Sequence, residues 1–370
     1  MTTVAELAVA PVQRVISTCT AYSADGAELA ELPLTGGSVT ADARRARLRD
    51  ATLQFAADAG LSHDDIYEIL VTPGVQLQVA RGFVLVGGSE VTTPVGRFVP
   101  SEPQQSRTQA GGELSVACSD ASAKVSRARW TDSYQIASGT NLADALNALL
   151  ADRWADVVTA IYSNAVTNTI GANVVFDYGE SSDPWADAVS LAADHGWELY
   201  FDTSGVARVR SAPMLDPEAA LFTFERGDAA IITDEARSSP LERTYNGVIV
   251  TGEGSELEVP VRGEAWDANP GSSTYYLGPF GKAPLFYSSP LITTEAQAEQ
   301  AAQTRLAGVI GRVEQLSWSM VVHPGLQPLD VVLVEQADGS EVAYILDALT
   351  IPLGVGEAMS ATAREITVTY

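Results

Sequence analysis

One stretch limits the fold of this chain more than any other: Tyr275-Tyr276-Leu277-Gly278-Pro279-Phe280-Gly281-Lys282-Ala283-Pro284-Leu285-Phe286-Tyr287-Ser288-Ser289-Pro290, followed at once by a helical pattern that starts at Thr293 and Thr294. Proline and glycine keep such a segment extended and turning, so it buries little surface on its own. Its aromatic rings therefore need another surface to lie on, in the same chain or in a neighbouring one. Nothing elsewhere in the sequence looks catalytic, and an arm without an active site points to a structural component rather than an enzyme.

With 370 residues the chain is long enough for two or three domains, each with a real core. Hydrophobic residues make up 46% and charged residues 19%, the balance of an ordered globular protein. The formal net charge is −25, from 47 acidic and 22 basic residues. That argues against a surface that grips phosphate, which needs Lys and Arg to displace counterions. Nucleic acid could still pass by without sticking.

Cys19 and Cys118 are too few for a disulfide framework and have no metal-ligand spacing, so buried free thiols are expected. The N-terminus has no basic segment ahead of its apolar residues, and no apolar run approaches the roughly 20 residues of a membrane helix. We therefore expect synthesis and assembly in a cytosol, with no membrane insertion.

The first hundred residues read as strands. Val12–Tyr22 and Ala27–Val39 are broken by Asp25-Gly26 and Gly36-Gly37, two turn signals. Val75, Leu77 and Val79 alternate with Gln76, Gln78 and Ala80, and Arg81-Gly82 leads into Phe83–Val86 to complete an antiparallel pair. Gly96–Val99 follows, and the Gln-, Ser- and Gly-rich stretch from Ser101 to Gly112 is expected to be an exposed loop.

In the middle, Asn141 caps a helix with Asp144 in its first turn and an apolar face formed by Leu142, Ala145, Leu146, Leu149, Leu150 and Trp154. Asp183-Pro184 opens a second helix that stops at His195-Gly196. Trp197–Phe201, the turn Asp202–Gly205 and Val206–Arg210 complete an α+β unit. The last third returns to β structure, with strands at Tyr245–Val250 and Glu256–Val261. Asp330–Glu335 and Glu341–Leu346 flank the hairpin signal Ala337-Asp338-Gly339-Ser340. One helix interrupts it at about 295–310, with Thr294 and Gln297 as a capping box.

Chemistry-bearing residues are sparse. His63, His195 and His323 are isolated, and bland readings serve each: a polar helix start, a cation at a helix C-terminus, and a turn before Pro324-Gly325. Neither zinc-type spacing nor a nucleophile elbow nor a phosphate-binding glycine motif occurs. Glu180, Asp183 and Asp187 cluster around one helix start, where capping accounts for two of them. Asp267–Gly271 resembles a calcium loop that lacks its closing Glu, because Gly278 stands there, and reads as a turn. Arg44, Arg45, Arg47 and Arg49, between Asp42 and Asp50, are expected to form local ion pairs on an exposed face. Trp154, Trp185 and Trp197 are expected in cores. No catalytic, cofactor-binding or metal residue is assigned, and no cofactor is expected.

The order of these features resembles the central hub proteins of long-tailed bacteriophages, at the tail tip or baseplate. Three stretches carry the likeness. They are Pro73–Gly82 with Pro94–Phe98, then Tyr245–Gly254, and then Gly278–Gly281 and Phe286–Ile292 joined to the helix Ala296–Ala302. Pro324–Asp330 matches as well. The resemblance covers nearly the whole chain and implies a mainly β, α+β fold: two β-barrel-like ring domains separated by a small α+β domain. The expected limits are 1–135, 136–215 and 216–370, the last with an aromatic arm at about 275–292.

The same resemblance implies a homotrimer that joins a sixfold tail tube to a threefold tip and lines the channel for DNA ejection. Its partners would be distal tail or tube proteins, the tape measure, and tip, spike or fibre proteins, with genomic DNA only in transit. The location implied is the distal end of the virion tail. Many relatives carry a C-terminal lytic extension. This chain ends at Tyr370 after a strand-like stretch, so wall-degrading activity is not carried over. The alternatives are a tail-associated cell-wall hydrolase, the hub of a contractile injection machine, and a soluble binding module.

Overall fold

The structure is a computed structural model that describes residues 12–365, apart from 59, 109–110, 212–219, 228–229, 239–243, 253–260, 290–291, 293 and 310–314. Strand makes up 45% and helix 16%, so the chain is mainly β, as expected.

The first region contains β1 (Val12–Tyr22), β2 (Glu28–Leu32), β3 (Leu34–Asp42), β4 (Arg49–Phe55), α1 (His63–Val71), β5 (Gln76–Leu85), β6 (Glu90–Thr108) and β7 (Gly111–Asp120). Asp25-Gly26 forms the expected turn, closed by Ser23 N–H on Ala27 O at 2.8 Å with Gly26 at φ +86°. Gly36-Gly37 does not turn the chain and lies inside β3. Gly37, at φ +118°, sits where a Cβ would fall 2.0 Å from Thr52 O, next to a break in register between Leu34 and Gly36. Glycine serves a bulge and a close strand approach as readily as a turn.

Arg81-Gly82 departs from expectation in the same way. β5 runs straight through both residues, and a Cβ on Gly82 would lie 2.0 Å from Val91 O of β6. The reversal comes at Val86–Ser89, where Gly87 and Gly88 both have positive φ and Leu85 N–H reaches Ser89 O. The polar stretch from Ser101 to Gly112 is not a loop. β6 and β7 stay paired as far as Thr108 and Gly111. Alternating hydrophobicity marks only strands with one buried face, and residues 101–106 have none.

The middle region holds α2 (Ser122–Arg127), β8 (Tyr134–Ile136), α3 (Leu142–Arg153), β9 (Val174–Phe176), α4 (Pro184–Ala193), β10 (Trp197–Phe201) and β11 (Ala207–Ser211). Asn141 Oδ1 accepts from Ala143 and Asp144 N–H, and Asp183 Oδ1 accepts from Trp185 and Ala186 N–H, so both predicted caps form. Leu142, Leu146, Leu149 and Leu150 of α3 are fully buried against Trp185, Leu191 and Phe201. Burying each such side chain contributes on the order of 1.5–3 kcal/mol.

The last region contains β12 (Phe222–Phe224), β13 (Ile232–Ser238), β14 (Gly247–Gly252), β15 (Arg262–Trp266), β16 (Pro284–Ser289), α5 (Glu295–Val309), β17 (Gln315–Met320), β18 (Val331–Glu335), β19 (Glu341–Pro352) and β20 (Met359–Glu365). The hairpin at Ala337–Ser340 forms, with Gln336 N–H on Ser340 O at 2.7 Å. Thr294 and Gln297 cap each other reciprocally at the start of α5. The expected strand Glu256–Val261 lies largely outside the described residues; β15 begins at Arg262.

The first and last β regions share one sheet. β19 pairs with β3, from Ala348 opposite Asp42 to Pro352 opposite Ser38. The resulting order is β13-β17-β20-β19-β3-β4-β7-β6-β5-β1-β2, with β18 and β12 branching from β19, in a 13-stranded sheet that closes no barrel. A single hydrophobic cluster spans both regions and includes Phe98, Leu53, Leu114, Trp318, Tyr344 and Leu349. The middle region has its own cluster. A third, small one joins Val248 and Val250 of β14 to Ala298, Ala301, Ala302 and Leu306 of α5.

Candidate functional site: the junctions between the cores

The residues that sequence chemistry singles out do not converge. His63 follows the N-cap Ser62 of α1, whose hydroxyl and backbone N–H both bond Asp65; its ring accepts from Ala57 N–H at 3.3 Å. His195 bonds Leu191 O through Nδ1 at 2.9 Å at the end of α4. His323 lies in the turn before Pro324-Gly325, but it is buried and packs against Phe222 at 5.0 Å with neither ring nitrogen partnered. Burial holds its pKa below the usual histidine value.

The three carboxylates near α4 also part company. Asp183 is spent as the helix cap, and Asp187 accepts from Trp130 Nε1 at 2.7 Å. Glu180 is exposed. Asp267 anchors a tight turn, accepting from Thr274 Oγ1 at 2.7 Å and from Asn269 N–H. Among the described residues no group of three His, Cys, Asp or Glu side chains is placed to hold a metal. Cys19 and Cys118 are both free and buried in the shared core, and burial pushes both thiols up.

The arm lies on its own chain. Its first half wraps the fully buried Asn246, whose amide donates to Thr274 O and Gly281 O while its oxygen accepts from Ala283 N–H. Lys282 stands over the rings of Trp266 and Tyr276. The second half is β16, parallel to β14 from Gly247 opposite Pro284 to Gly252 opposite Ser289.

The arginine run holds the larger surprise. Arg44 pairs with Asp42 at 2.9 Å, and Arg45 reaches both Asp42 and Asp50 at 3.6 Å, as expected on an exposed face. Arg49 is instead 3% exposed, and its contacts reach into all three regions. Its backbone N–H bonds Asp120 Oδ2, Nη1 bonds Phe201 O at 2.7 Å, and Nη2 bonds Gln327 Oε1 at 3.1 Å. Beside it Arg210 forks onto Glu198 and reaches Pro328 O. Burial lifts the carboxyl of Asp330 in the same place to about 6, against the Gln327 N–H and the charges of Arg210 and Arg49.

A second buried guanidinium, Arg81, 1% exposed, bonds Ser17 Oγ, Leu353 O and Gly354 O. It ties β5 to the segment after β19. Sequence reasoning missed both arginines as connectors. The available signal was an arginine at a position where the strand pattern calls for a buried residue.

Surface hollows among the described residues have volumes of about 200 to 340 Å³, mostly below the range of small-molecule sites. In one of them Glu235 pairs with Arg226 at 2.8 Å and with Arg237 at 3.0 Å. The geometry is that of a scaffold whose charged side chains connect its parts.

Comparison with solved structures identifies the fold. A tail protein from Neisseria meningitidis superposes over 95% of this chain and 96% of its own, with TM-score 0.62 and 13% identity. The fold is that of phage tail proteins. A 43 kDa tail protein of prophage MuSo2 from Shewanella oneidensis superposes over 94% of this chain and 98% of its own, with TM-score 0.59 and 12% identity. A chain of the Francisella PdpA–VgrG complex shares the tail-protein fold over 98% of this chain and 60% of its own, with TM-score 0.59 and 9% identity. No family model matches the sequence, and no curated protein does.

Proposed function

We infer that the chain is a structural, non-enzymatic component of a phage tail. In this reading it is a homotrimeric hub that joins the sixfold tube to a threefold tip or baseplate and lines the DNA channel. The observation that carries the reading is the end-to-end agreement with tail proteins of nearly equal length, 95% of this chain against 96% of the Neisseria protein. One sheet that spans both β regions suits a rigid ring element, because the β19–β3 pairing leaves the two regions no freedom to rotate independently.

The proposed division is 1–135 and 216–370 for the two ring domains, with 136–215 as the α+β domain between them. Distal tail or tube proteins, the tape measure and tip, spike or fibre proteins would be the partners, at the distal end of the tail after assembly in the host cytoplasm. The net charge of −25 would then act on DNA in transit. Duplex DNA carries one negative charge per ~1.7 Å of axis, so an acidic lumen repels it from the wall.

Native mass measurement of the isolated chain tests threefold assembly, and imaging of intact particles tests its place. A chain that stays monomeric at high concentration and is missing from the tail would overturn the hub reading. A net basic lumen would remove only the repulsion argument. Release of soluble products from peptidoglycan, lost in Glu180→Gln, would favour a wall hydrolase instead. The Francisella likeness favours one further reading, a hub of a contractile injection machine. A sheath gene beside the coding sequence would select it.

A further inference from the structure

Residues 239–314 leave and rejoin the large sheet at neighbouring points, because Ser238 of β13 pairs with Gln315 of β17. Within that insertion, β14, β15, β16 and α5 pack on one another around their own small core. A Cβ on Gly263 would sit 2.3 Å from the backbone of Ala298 and Glu299, so α5 lies directly on β15. The described part of the insertion thus has an interior of its own.

Gln297 of α5 lies against Gly171 of the middle region, and the hydrogen bonds between the two parts converge on a single carboxylate. The Asp194 side chain is 3% exposed, and three donors from the insertion converge on it. They are Tyr287 hydroxyl at 3.0 Å, Ser289 Oγ at 2.9 Å and Arg305 Nη2 at 3.1 Å. Arg305 also stacks over the Tyr287 ring, 3.3 Å from its centre. Burial and the charge of Asp194 push the Tyr287 phenol up, which keeps it a donor.

Asp194 is also the C-cap of α4, where the partial negative charge of the helix end disfavours a carboxylate. Nothing in α4 itself offsets that cost; the insertion does. Beside this point part of the boundary is open. A hollow of about 200 Å³ separates Val189, Ala193 and Trp197 from Thr304 and Arg305, and Arg305 Nε is buried without an acceptor. An unfilled boundary forfeits the dispersion contacts that fuse two cores into one.

We propose that Asp194 is a latch: it holds the β14–β16/α5 unit docked on the middle region, and loss of its three bonds lets that unit come away from it. The device does not depend on how many copies assemble, so it stands or falls separately from the hub reading.

Spin labels at Glu180→Cys and Gln300→Cys, both exposed positions, report the distance across the boundary, since Cys19 and Cys118 are buried from label. Labelled chain is diluted into unlabelled chain so that only distances within a subunit register. The otherwise unmodified protein should give one docked distance. Asp194→Asn should add a longer population and lower the docked-to-undocked ratio at least about tenfold, the equivalent of one charge-assisted hydrogen bond. Tyr287→Phe should shift it the same way by less. A distribution in Asp194→Asn identical to the parent overturns the latch. Should that variant not fold, an unchanged distribution in Tyr287→Phe overturns it equally.

Discussion

Two seams in this molecule are built in opposite ways. Where the first and last β regions meet, β3 and β19 share backbone hydrogen bonds and a common core, and Arg81 bonds carbonyl groups beyond the end of β19. Arg49 extends the same joint to the middle region. Where the insertion meets the middle region, one carboxylate collects three side-chain donors beside an unfilled hollow. The first seam uses backbone partners fixed by secondary structure, so parting it breaks the sheet. The second uses side chains that can let go while both cores stay intact. Strength at a boundary therefore follows from whether backbone groups and core are shared across it, rather than from how many charged residues stand there.

Four substitutions test that contrast. Arg81→Ala should have the largest effect, lowering unfolding free energy by about 3–5 kcal/mol, because it strands the buried Gly354 O, leaves Leu353 O with Ser17 Oγ alone and empties the joint. Denaturant unfolding would measure it, and a loss below about 1 kcal/mol would mean the sheet alone holds the seam.

Asp330→Asn should stabilise by about 2 kcal/mol at pH 7.5. The carboxyl of Asp330 is raised in the fold, so its contribution to stability is fully present below the unfolded carboxylate range and is lost as pH rises through about 6. The gap between variant and parent should therefore shrink steadily from pH 7 to pH 4. Asparagine can still accept the Gln327 N–H, so a destabilised variant at pH 7.5 would show that the charge itself is needed by Arg49 and Arg210.

Asp194→Ala should leave the main unfolding transition within about 1 kcal/mol of the parent, because the large sheet does not lean on that contact. A loss as large as that of Arg81→Ala would merge the two seams into one cooperative unit. Arg45→Ala should do least, about 0.5 kcal/mol or under in the same measurement, because its ion pairs at 3.6 Å are largely solvated.

Local signals in the chain were read well where the physics is local. Asn141, Asp183-Pro184 and Thr294 with Gln297 cap helices because the groups they satisfy lie within three residues. The hairpin at Ala337–Ser340 belongs to the same class. The misread places share one feature: what decides them is a neighbouring strand rather than the residues beside them. Gly36-Gly37 and Gly82 carry the same glycine signal as a turn, and only Thr52 and Val91 across the ladder show that close strand approach is what excludes a Cβ. The described residues of the stretch from Ser101 to Gly112 pair with β7 alone, and Gln105 among them donates to Asp64 of α1.

Arg49 looked like the fourth member of an exposed basic run, and burial separates it from Arg44 and Arg45 only because Phe201 and Gln327 arrive from elsewhere in the fold. By itself the sequence determined the β, α+β, β order, the starts of the capped helices, and the arm that must find a surface. The tertiary structure alone decided which surface that is, that two β regions form one sheet, and which charges are buried. Helix caps and turns depend on near neighbours, whereas strand pairing and burial depend on residues hundreds of positions apart, as Arg81 and Leu353 are.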